Sequence, residues 1–321
     1  MPNFHEIKAE RTALHGHFSR DLPPILTIDP GDTVRFQCVD SGWGLEPHNG
    51  FNMERRELEP RDPILDGGHA LTGPVAIRGA KAGLTLAIHI DALKVGQWGT
   101  TFAGGWQNDW NDRLGVSKDG VFHTWTFDHA EQIATNQHGH SVKLRPFMGI
   151  YGMPANITGI QSTIPPRRTG GNIDCKELIA GSTLYLPIEV DGGLFSVGDG
   201  HAVQGNGEVS VTAIECPMDR VELTFDLLDD MPLTTPVANT PAGWITLGFH
   251  EDLDEALVIA LEAMLVLMKR VHGLERLDAL ALASLTVDMC ITQVVNGVRG
   301  VHALLPHGAI QQRSATAGKA A

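Results

Sequence analysis

The sequence has little charge and few aromatic residues for its length. Of 321 residues, 19% are charged and 6% are Phe, Trp or Tyr, while 42% are apolar. That apolar content, with so little charge, excludes a disordered chain. Basic residues are the minority, since 24 Lys and Arg stand against 38 Asp and Glu, giving a net charge of −14. Such acidity repels phosphate backbones, so we expect no nucleic-acid partner.

Long hydrophobic runs and paired cysteines are also missing. The amino-terminal residues contain no apolar signal-peptide core. The longest apolar stretch, residues 256–268, is interrupted by Glu262 and is too short to span a bilayer. The four cysteines are far apart and form no CxxC pair, which fits a reducing compartment. We therefore expect a cytoplasmic protein that does not bind membranes.

Common nucleotide-binding and nucleophile motifs are absent as well: the sequence has no Walker A, GxGxxG, HExxH or GxSxG. Cys175 beside Lys176 permits a thiolate interpretation, because a neighbouring cation lowers the pKa of a thiol. In an extended segment, however, Cys175 points away from the face that carries Asp174. A buried, structural Cys175 is favoured. Catalysis without metal, by Cys175 or by Glu208 with Lys176, stays open as an alternative.

The residues that are abundant indicate a fold rich in strands and turns. The chain has 36 glycines and 18 prolines, which favours a largely β architecture with many loops. Apolar, β-branched segments bounded by turn residues predict strands at 24–28, 33–38, 73–77, 84–90, 182–188, 194–201 and 208–214. Residues 98–137 instead predict a long packed loop near a pocket, because they hold few clear strands.

The carboxyl-terminal part predicts helices. Apolar residues recur every three or four positions from 253 to 271, after Asp252 and before Gly273, which are typical start and stop residues. A second helix is expected at about 277–289. Strands followed by helices predict the α+β class. We expect one domain over 1–321, β-rich at 20–248 and helical at 250–306, with a flexible tail at 307–321.

Acidic residues and glycines concentrate in two runs, at 170–174 and 198–208. Asp199 and His201 are two positions apart, so on an extended segment both point to one face. With Asp174 they supply the oxygen and nitrogen ligands that a hydrolytic metal needs. Glu208 is placed to act as an acid or base. The alternative, a glycine-rich hairpin whose Asp and Asn side chains cap turns, stays open.

Three other residues are candidate substrate contacts. His69 precedes a predicted strand and could face a site, and Gln204 follows His201 in the glycine-rich run. Trp106 lies in the tryptophan-bearing region 98–125, which we expect to set substrate choice. These tryptophans also keep open a non-catalytic, β-rich sugar-binding module, although the polar cluster at 198–208 argues against it.

At these runs the sequence resembles the acetamidase/formamidase family. The resemblance rests on Leu-Thr-Gly-Pro at 71–74, Arg-Pro-Phe-Met-Gly at 145–149, Gly-Gly-Asn-Ile-Asp at 170–174, Ala-Gly-Ser-Thr-Leu-Tyr at 180–185, Leu-Phe-Ser-Val-Gly-Asp-Gly-His-Ala at 194–202 and Thr-Gln-Val-Val-Asn-Gly-Val at 292–298. The matching stretches are spread over about 25–306. One departure is Asn206, where the family often has an acid in Gly-Asp-Gly-Glu; a turn role, which Asn also fills, is the favoured explanation.

The resemblance implies a mixed β/α/β fold, homo-oligomers and hydrolysis of a small amide to a carboxylate and ammonia, or of a γ-lactam in some members. Zinc is associated with some members, so the resemblance also implies zinc or another divalent metal. On this basis we expect Asp174, Asp199 and His201 to bind the metal and Glu208 to move a proton. Asn172 would hydrogen-bond the amide or the tetrahedral oxyanion.

Overall fold

The computed structural model describes residues 2–50 and 53–311, which form mostly β-sheet, with about 40% of residues in strands and 13% in helices. The strands are β1 (Phe4–Ile7), β2 (Leu14–His15), β3 (Leu26–Ile28), β4 (Thr33–Cys38), β5 (Leu71–Ile77), β6 (Thr85–Val95), β7 (Trp98–Gly104), β8 (Gly120–Asp128), β9 (Ile133–Asn136), β10 (Ser141–Lys143), β11 (Phe147–Gly152), β12 (Pro166–Arg167), β13 (Gly170–Asn172), β14 (Thr183–Pro187), β15 (Phe195–His201), β16 (Met218–Leu228), β17 (Val237–Thr240), β18 (Gly243–His250), β19 (Asp288–Asn296) and β20 (Val298–Pro306). The helices are α1 (Asp109–Leu114), α2 (Leu253–His272) and α3 (Arg276–Thr286).

The strands form three sheets. A nine-stranded sheet has the order β1-β4-β16-β6-β14-β17-β18-β20-β19, and a seven-stranded sheet has the order β12-β13-β11-β15-β5-β2, with β3 also paired to β5. Strands β7 to β10 form a four-stranded sheet in the order β10-β9-β8-β7. Every predicted strand up to 201 therefore has a counterpart. The predicted α+β class describes the chain only roughly, because helices contribute so little.

The two large sheets pack together through one hydrophobic core. Strand β4 shows why, since Val34, Phe36 and Cys38 are buried at every second position, as expected for a strand with one face on the core. Phe36 and Phe225 of the nine-stranded sheet contact Phe195 of β15, with ring centroids 6.4 and 5.1 Å from that of Phe195. Edge-to-face packing of this kind adds to the stabilisation from burial. The core thereby fixes β15, which carries Asp199 and His201.

Helix α2 packs against β18 and β20 at one end of the nine-stranded sheet. Its predicted ends are confirmed: the Asp252 carboxylate accepts hydrogen bonds from the backbone N–H groups of Asp254 and Glu255, and Gly273 ends the helix at φ 69°. None of the helices within 2–50 and 53–311 combines the length and the hydrophobicity that a membrane-spanning helix needs.

Three predictions from the sequence are wrong. Helix does not continue to 306, because α3 ends at Thr286 and the next residues form the hairpin β19–β20. Residues 98–137 are not one loop but strands β7, β8 and β9 with the short helix α1. Residues 208–214, all of which are described, form turns and bends instead of a strand. The predicted tail at 307–321 lies outside the described residues from 312 onward.

Candidate functional site

Two neighbouring parts of the seven-stranded sheet bring the predicted metal ligands together. Strand β15 carries Asp199 and His201, and Asp174 follows β13, which is separated from β15 only by β11. Ligand atoms of these three side chains all lie within 4.8 Å of one another. The spacing of two on a strand therefore does place both side chains on one face, as alternation requires.

Gly149, on the intervening strand β11, makes this convergence sterically possible. The register pairs Met148 with Gly200 and Ile150 with Gly198, so Gly149 stands opposite Asp199. A Cβ on Gly149 would lie 2.3 Å from Asp199 Oδ2, 2.7 Å from Asp174 Oδ1 and 2.8 Å from His201 Cε1. The Gly149 carbonyl also accepts a hydrogen bond from the Asp174 N–H. Only glycine leaves space for the side chains above it.

Two glutamates complete the cluster from the segment that follows β15. Glu215 pairs through its backbone with both Thr100 and His201, and its Oε1 lies 3.2 Å from His201 Nε2. Glu208 follows Gly207, whose backbone bonds to β19. Ligand atoms of His201, Glu208 and Glu215 lie within 4.8 Å of one another. Glu215 is not among the residues predicted from the sequence. The sequence signal for it is an acidic residue inside the apolar run Ala-Ile-Glu-Cys at 213–216.

The backbone at this cluster is unusual. Asp174, Asp199 and Glu208 have φ angles of 51°, 60° and 46°, in the left-handed region that non-glycine residues seldom adopt. Each such residue costs on the order of 1 kcal/mol, and such residues concentrate at functional sites. The fold thus holds three carboxylates in backbone conformations that local preference alone would not select.

All five side chains are buried, with exposures of 1% for Asp174, 3% for Asp199, 0% for His201, 6% for Glu208 and 8% for Glu215. Burial, added to by neighbouring carboxylates, raises the pKa of Asp174, Glu208 and Glu215 above their ordinary values. Burial alone would lower the pKa of His201, but the Glu215 and Asp199 carboxylates outweigh it and raise that pKa. The cluster therefore carries excess negative charge that protons or a cation must balance.

Several polar atoms of the cluster have no partner among the described residues: Asp174 Oδ1, Glu208 Oε2 and His201 Nδ1. Other atoms are held in place, since Asn296 Nδ2 donates to Asp174 Oδ2 at 2.8 Å and Gln204 Nε2 donates to the Asp174 carbonyl at 2.9 Å. Buried carboxylate oxygens and imidazole nitrogens that lack partners fit a divalent cation, and this donor set suits zinc.

Three members of the cluster, Asp199, Glu208 and Glu215, line a cavity of about 280 Å³. Its wall consists of Ser41, His69, Phe102, Ile164, Asn172, Asp199, Glu208, Val211, Thr212, Glu215, Val295 and Asn296. A second cavity of about 330 Å³ shares five of these residues: Ser41, His69, Phe102, Ile164 and Glu215. A concave cavity that combines apolar walls with a few convergent polar groups is typical of a small-molecule site.

The other predicted site residues are distributed as follows. His69 lies in the wall of both cavities, with Nδ1 2.8 Å from Thr163 Oγ1. Gln204 is buried and its Nε2 donates to the Asp174 backbone carbonyl. Trp106 lies behind the wall, edge-to-face with Phe102 at 5.8 Å. Lys176 is half-buried and outside the wall, and the departure Asn206 is exposed, so neither faces the cavity.

Comparisons with a protein-family model and with known proteins both match acetamidases or formamidases. A model of the Acetamidase/Formamidase family matches residues 3–160 and 157–242. The formamidase of Methylophilus methylotrophus is 29% identical over 251 residues, which are 61% of this chain and 60% of that protein. The chain therefore spans about three fifths of the length of that curated relative.

Solved structures match over almost the whole chain. An acetamidase from Bacillus halodurans superimposes with a TM-score of 0.79 at 27% identity, covering 94% of this chain and 97% of that one. A predicted acetamidase/formamidase from Thermoanaerobacter tengcongensis gives a TM-score of 0.82 at 24% identity, covering 95% and 96%. At that identity the second match shows the fold alone.

Proposed function

Because the chain belongs to the acetamidase/formamidase family, we propose that it hydrolyses the C–N bond of a small linear or cyclic amide. A linear primary amide would give a carboxylate and ammonia, and a lactam would give an amino acid. The observation that carries this proposal is the buried cluster of four carboxylates and one imidazole around the small cavity. Amide hydrolysis requires an activated water and a proton for the departing nitrogen, and such a cluster can provide both.

We propose that Asp174, Asp199 and His201 hold a divalent metal, zinc by preference, with Glu208 and Glu215 beside it. Their unpartnered oxygen and nitrogen atoms, in a site with excess negative charge, support this assignment. When bound, such an ion polarises a carbonyl oxygen and lowers the pKa of a coordinated water.

The proton transfers fall to the two glutamates. Glu208 Oε2 is buried, has no partner among the described residues and lines the cavity, so it is free to take a proton from water and return it to the departing nitrogen. Glu215 is held by the Ser41 hydroxyl, which donates to Oε2 at 3.2 Å, and by the Ala213 N–H, which donates to Oε1. These contacts fix its carboxylate beside His201 and support a positioning role for Glu215.

The metal-free alternatives have less support. Cys175 is fully buried outside the cavity wall, and burial raises the pKa of its thiol to about 12, which opposes thiolate formation. Lys176 does not belong to the cavity wall that contains Glu208, so it is not placed to act with Glu208 on a substrate bound there. The sugar-binding alternative loses its main argument, because none of Trp98, Trp106, Trp110 and Trp125 belongs to the described wall of the 280 Å³ cavity.

Thiol modification separates the cysteine mechanism from the proposed one. Treating the native protein with methyl methanethiosulfonate is expected to leave ammonia release within about twofold of the untreated rate, because a buried thiol with a raised pKa reacts poorly. Cys290, which is half-buried, is the thiol we expect to react first. Cys290→Ala provides the control. Activity that falls in step with modification of Cys175, mapped by mass spectrometry, would favour the cysteine mechanism instead.

A further inference from the structure

The orientation of one buried amide, that of Asn172, can be assigned from its partner. Asn172 Nδ2 donates to the Ile164 backbone carbonyl at 3.1 Å. A carbonyl oxygen can only accept, so the nitrogen end of the side chain must face Ile164. The carbonyl end is thereby turned away. Asn172 Oδ1 is buried and has no hydrogen-bond partner among the described residues.

Asn172, which carries this unpartnered oxygen, also lines the cavity beside the carboxylate cluster. Asn172 is 3% exposed and lines the 280 Å³ cavity together with Asp199, Glu208 and Glu215. It stands on β13 opposite Ile150, two residues before Asp174. A buried acceptor that lacks a partner costs free energy until a ligand supplies a donor. The fold therefore keeps an acceptor ready beside the carboxylate cluster.

The sequence left two roles open for Asn172, a hydrogen bond to the substrate amide or to the tetrahedral oxyanion, and an unpartnered acceptor favours the first. Stabilising a tetrahedral oxyanion requires donors directed at the developing charge, whereas the unpartnered atom of this side chain is Oδ1, which can only accept. A carbonyl oxygen in the cavity can instead accept from the N–H of a substrate. The two polar ends of a small amide are similar in size, so one acceptor beside the nitrogen also fixes which way round the substrate lies.

We infer that Asn172 Oδ1 accepts a hydrogen bond from the amide nitrogen of the substrate. The site then takes amides that carry at least one N–H, which are primary amides and unsubstituted lactams, in preference to esters and N,N-dialkyl amides. This inference rests on the proposed amide hydrolysis and adds the class of substrate. A site built to bind an N–H discriminates strongly against analogues without it, because its buried polar group is left unpaired.

The test keeps the acyl group constant and varies only the leaving group. Acetamide, N,N-dimethylacetamide and methyl acetate are compared by kcat/KM with the metal-loaded wild-type protein. We expect acetamide to exceed both others by at least about tenfold, although the ester is intrinsically the more reactive compound. In Asn172→Leu, which preserves shape and removes the acceptor, kcat/KM for acetamide should fall about 10- to 100-fold. The value for methyl acetate should not fall, so the amide-to-ester ratio drops.

Controls separate this role from structural and metal-binding ones. Asn136→Leu replaces another buried asparagine, which lies on β9 outside the cavity wall, and should leave the amide-to-ester ratio unchanged. Metal content and thermal midpoint should be retained in Asn172→Leu. A parallel loss on amide and ester, or loss of metal in this variant, would overturn the inference.

The wild-type series decides the question even if Asn172→Leu does not fold. Turnover of N,N-dimethylacetamide or methyl acetate as fast as acetamide would overturn the N–H assignment while leaving amide hydrolysis intact. Absence of turnover for formamide and acetamide in protein of verified metal content would overturn the proposed function itself, and the inference with it.

Discussion

Gly149→Ala is expected to remove bound metal and to lower kcat/KM for amide hydrolysis by at least about 1,000-fold in a protein that still folds. A Cβ there would overlap Asp199 Oδ2, Asp174 Oδ1 and His201 Cε1 at 2.3 to 2.8 Å. All three atoms belong to side chains, so we expect these side chains to move away from the new Cβ while the backbone stays in place. The checks are metal analysis, an ammonia-release assay and circular dichroism on the same preparation.

Gly205→Ala is the matched control for this prediction. Gly205 lies in the run that contains Gln204 and Glu208, yet a Cβ built on it meets nothing within 4 Å, and its φ is outside the left-handed region. This variant should keep both metal and activity. Gly149→Ala protein that retains a full complement of metal and the wild-type rate would show that the carboxylates do not need the space above Gly149.

Removing either ligand of β15 is expected to have a comparable effect. Asp199→Asn takes away a charged oxygen donor, and His201→Ala takes away the one imidazole of the cluster. Each variant should lose metal and activity together, with kcat/KM at least about 1,000-fold lower. His201 Nε2 also lies 3.4 Å from Asp199 Oδ1 and 3.2 Å from Glu215 Oε1, so its removal leaves two buried carboxylates without the imidazole beside them. We therefore expect a lower thermal midpoint in His201→Ala.

A second Asp–His pair supplies the control. His89 Nε2 lies 3.2 Å from Asp226 Oδ2 on neighbouring strands of the nine-stranded sheet, where the two side chains are 38% and 45% exposed to solvent. Asp226→Asn and His89→Ala should change neither metal content nor activity, because an exposed pair contributes little. Asp199→Asn and His201→Ala proteins that both keep their metal would refute the ligand assignment.

Local patterns were sufficient for much of the fold. The strands β4 and β6 and the helix α2 could be predicted because each is specified by its own residues. In α2, periodicity defines the buried face, Asp252 caps the start and Gly273 supplies the left-handed stop. Predictions failed where pairing with distant strands decides the structure. Strand β7 pairs with β8, and its predicted loop character came only from its glycines and tryptophans.

The wrong assignment of residues 288–306 had a readable counter-signal. Asn296 ends β19 and Gly297, at φ 78°, leads directly into β20, and Asn-Gly between β-branched segments is a strong hairpin indicator. The Asn-Gly turn therefore indicates that the helical region ends before the strands that flank it, as α3 does at Thr286.

Part of the site was predictable because it is specified by local sequence patterns. Asp199 and His201 are linked by strand alternation, which is a local property, and the glycine-rich runs mark where backbone and ligand approach closely. Glu215 and Gly149 reach the cluster through pairing across strands, which no spacing in the sequence reveals. The orientation of Asn172 depends on the Ile164 carbonyl, which only the folded chain brings within reach.

Metal content and ammonia release, measured on one purified preparation, test the central claim most directly. The account predicts a bound divalent ion in the protein, loss of both ion and amide hydrolysis after chelation, and recovery of hydrolysis when zinc is restored. Verified metal-free protein that releases ammonia from acetamide or formamide at the full rate would contradict it.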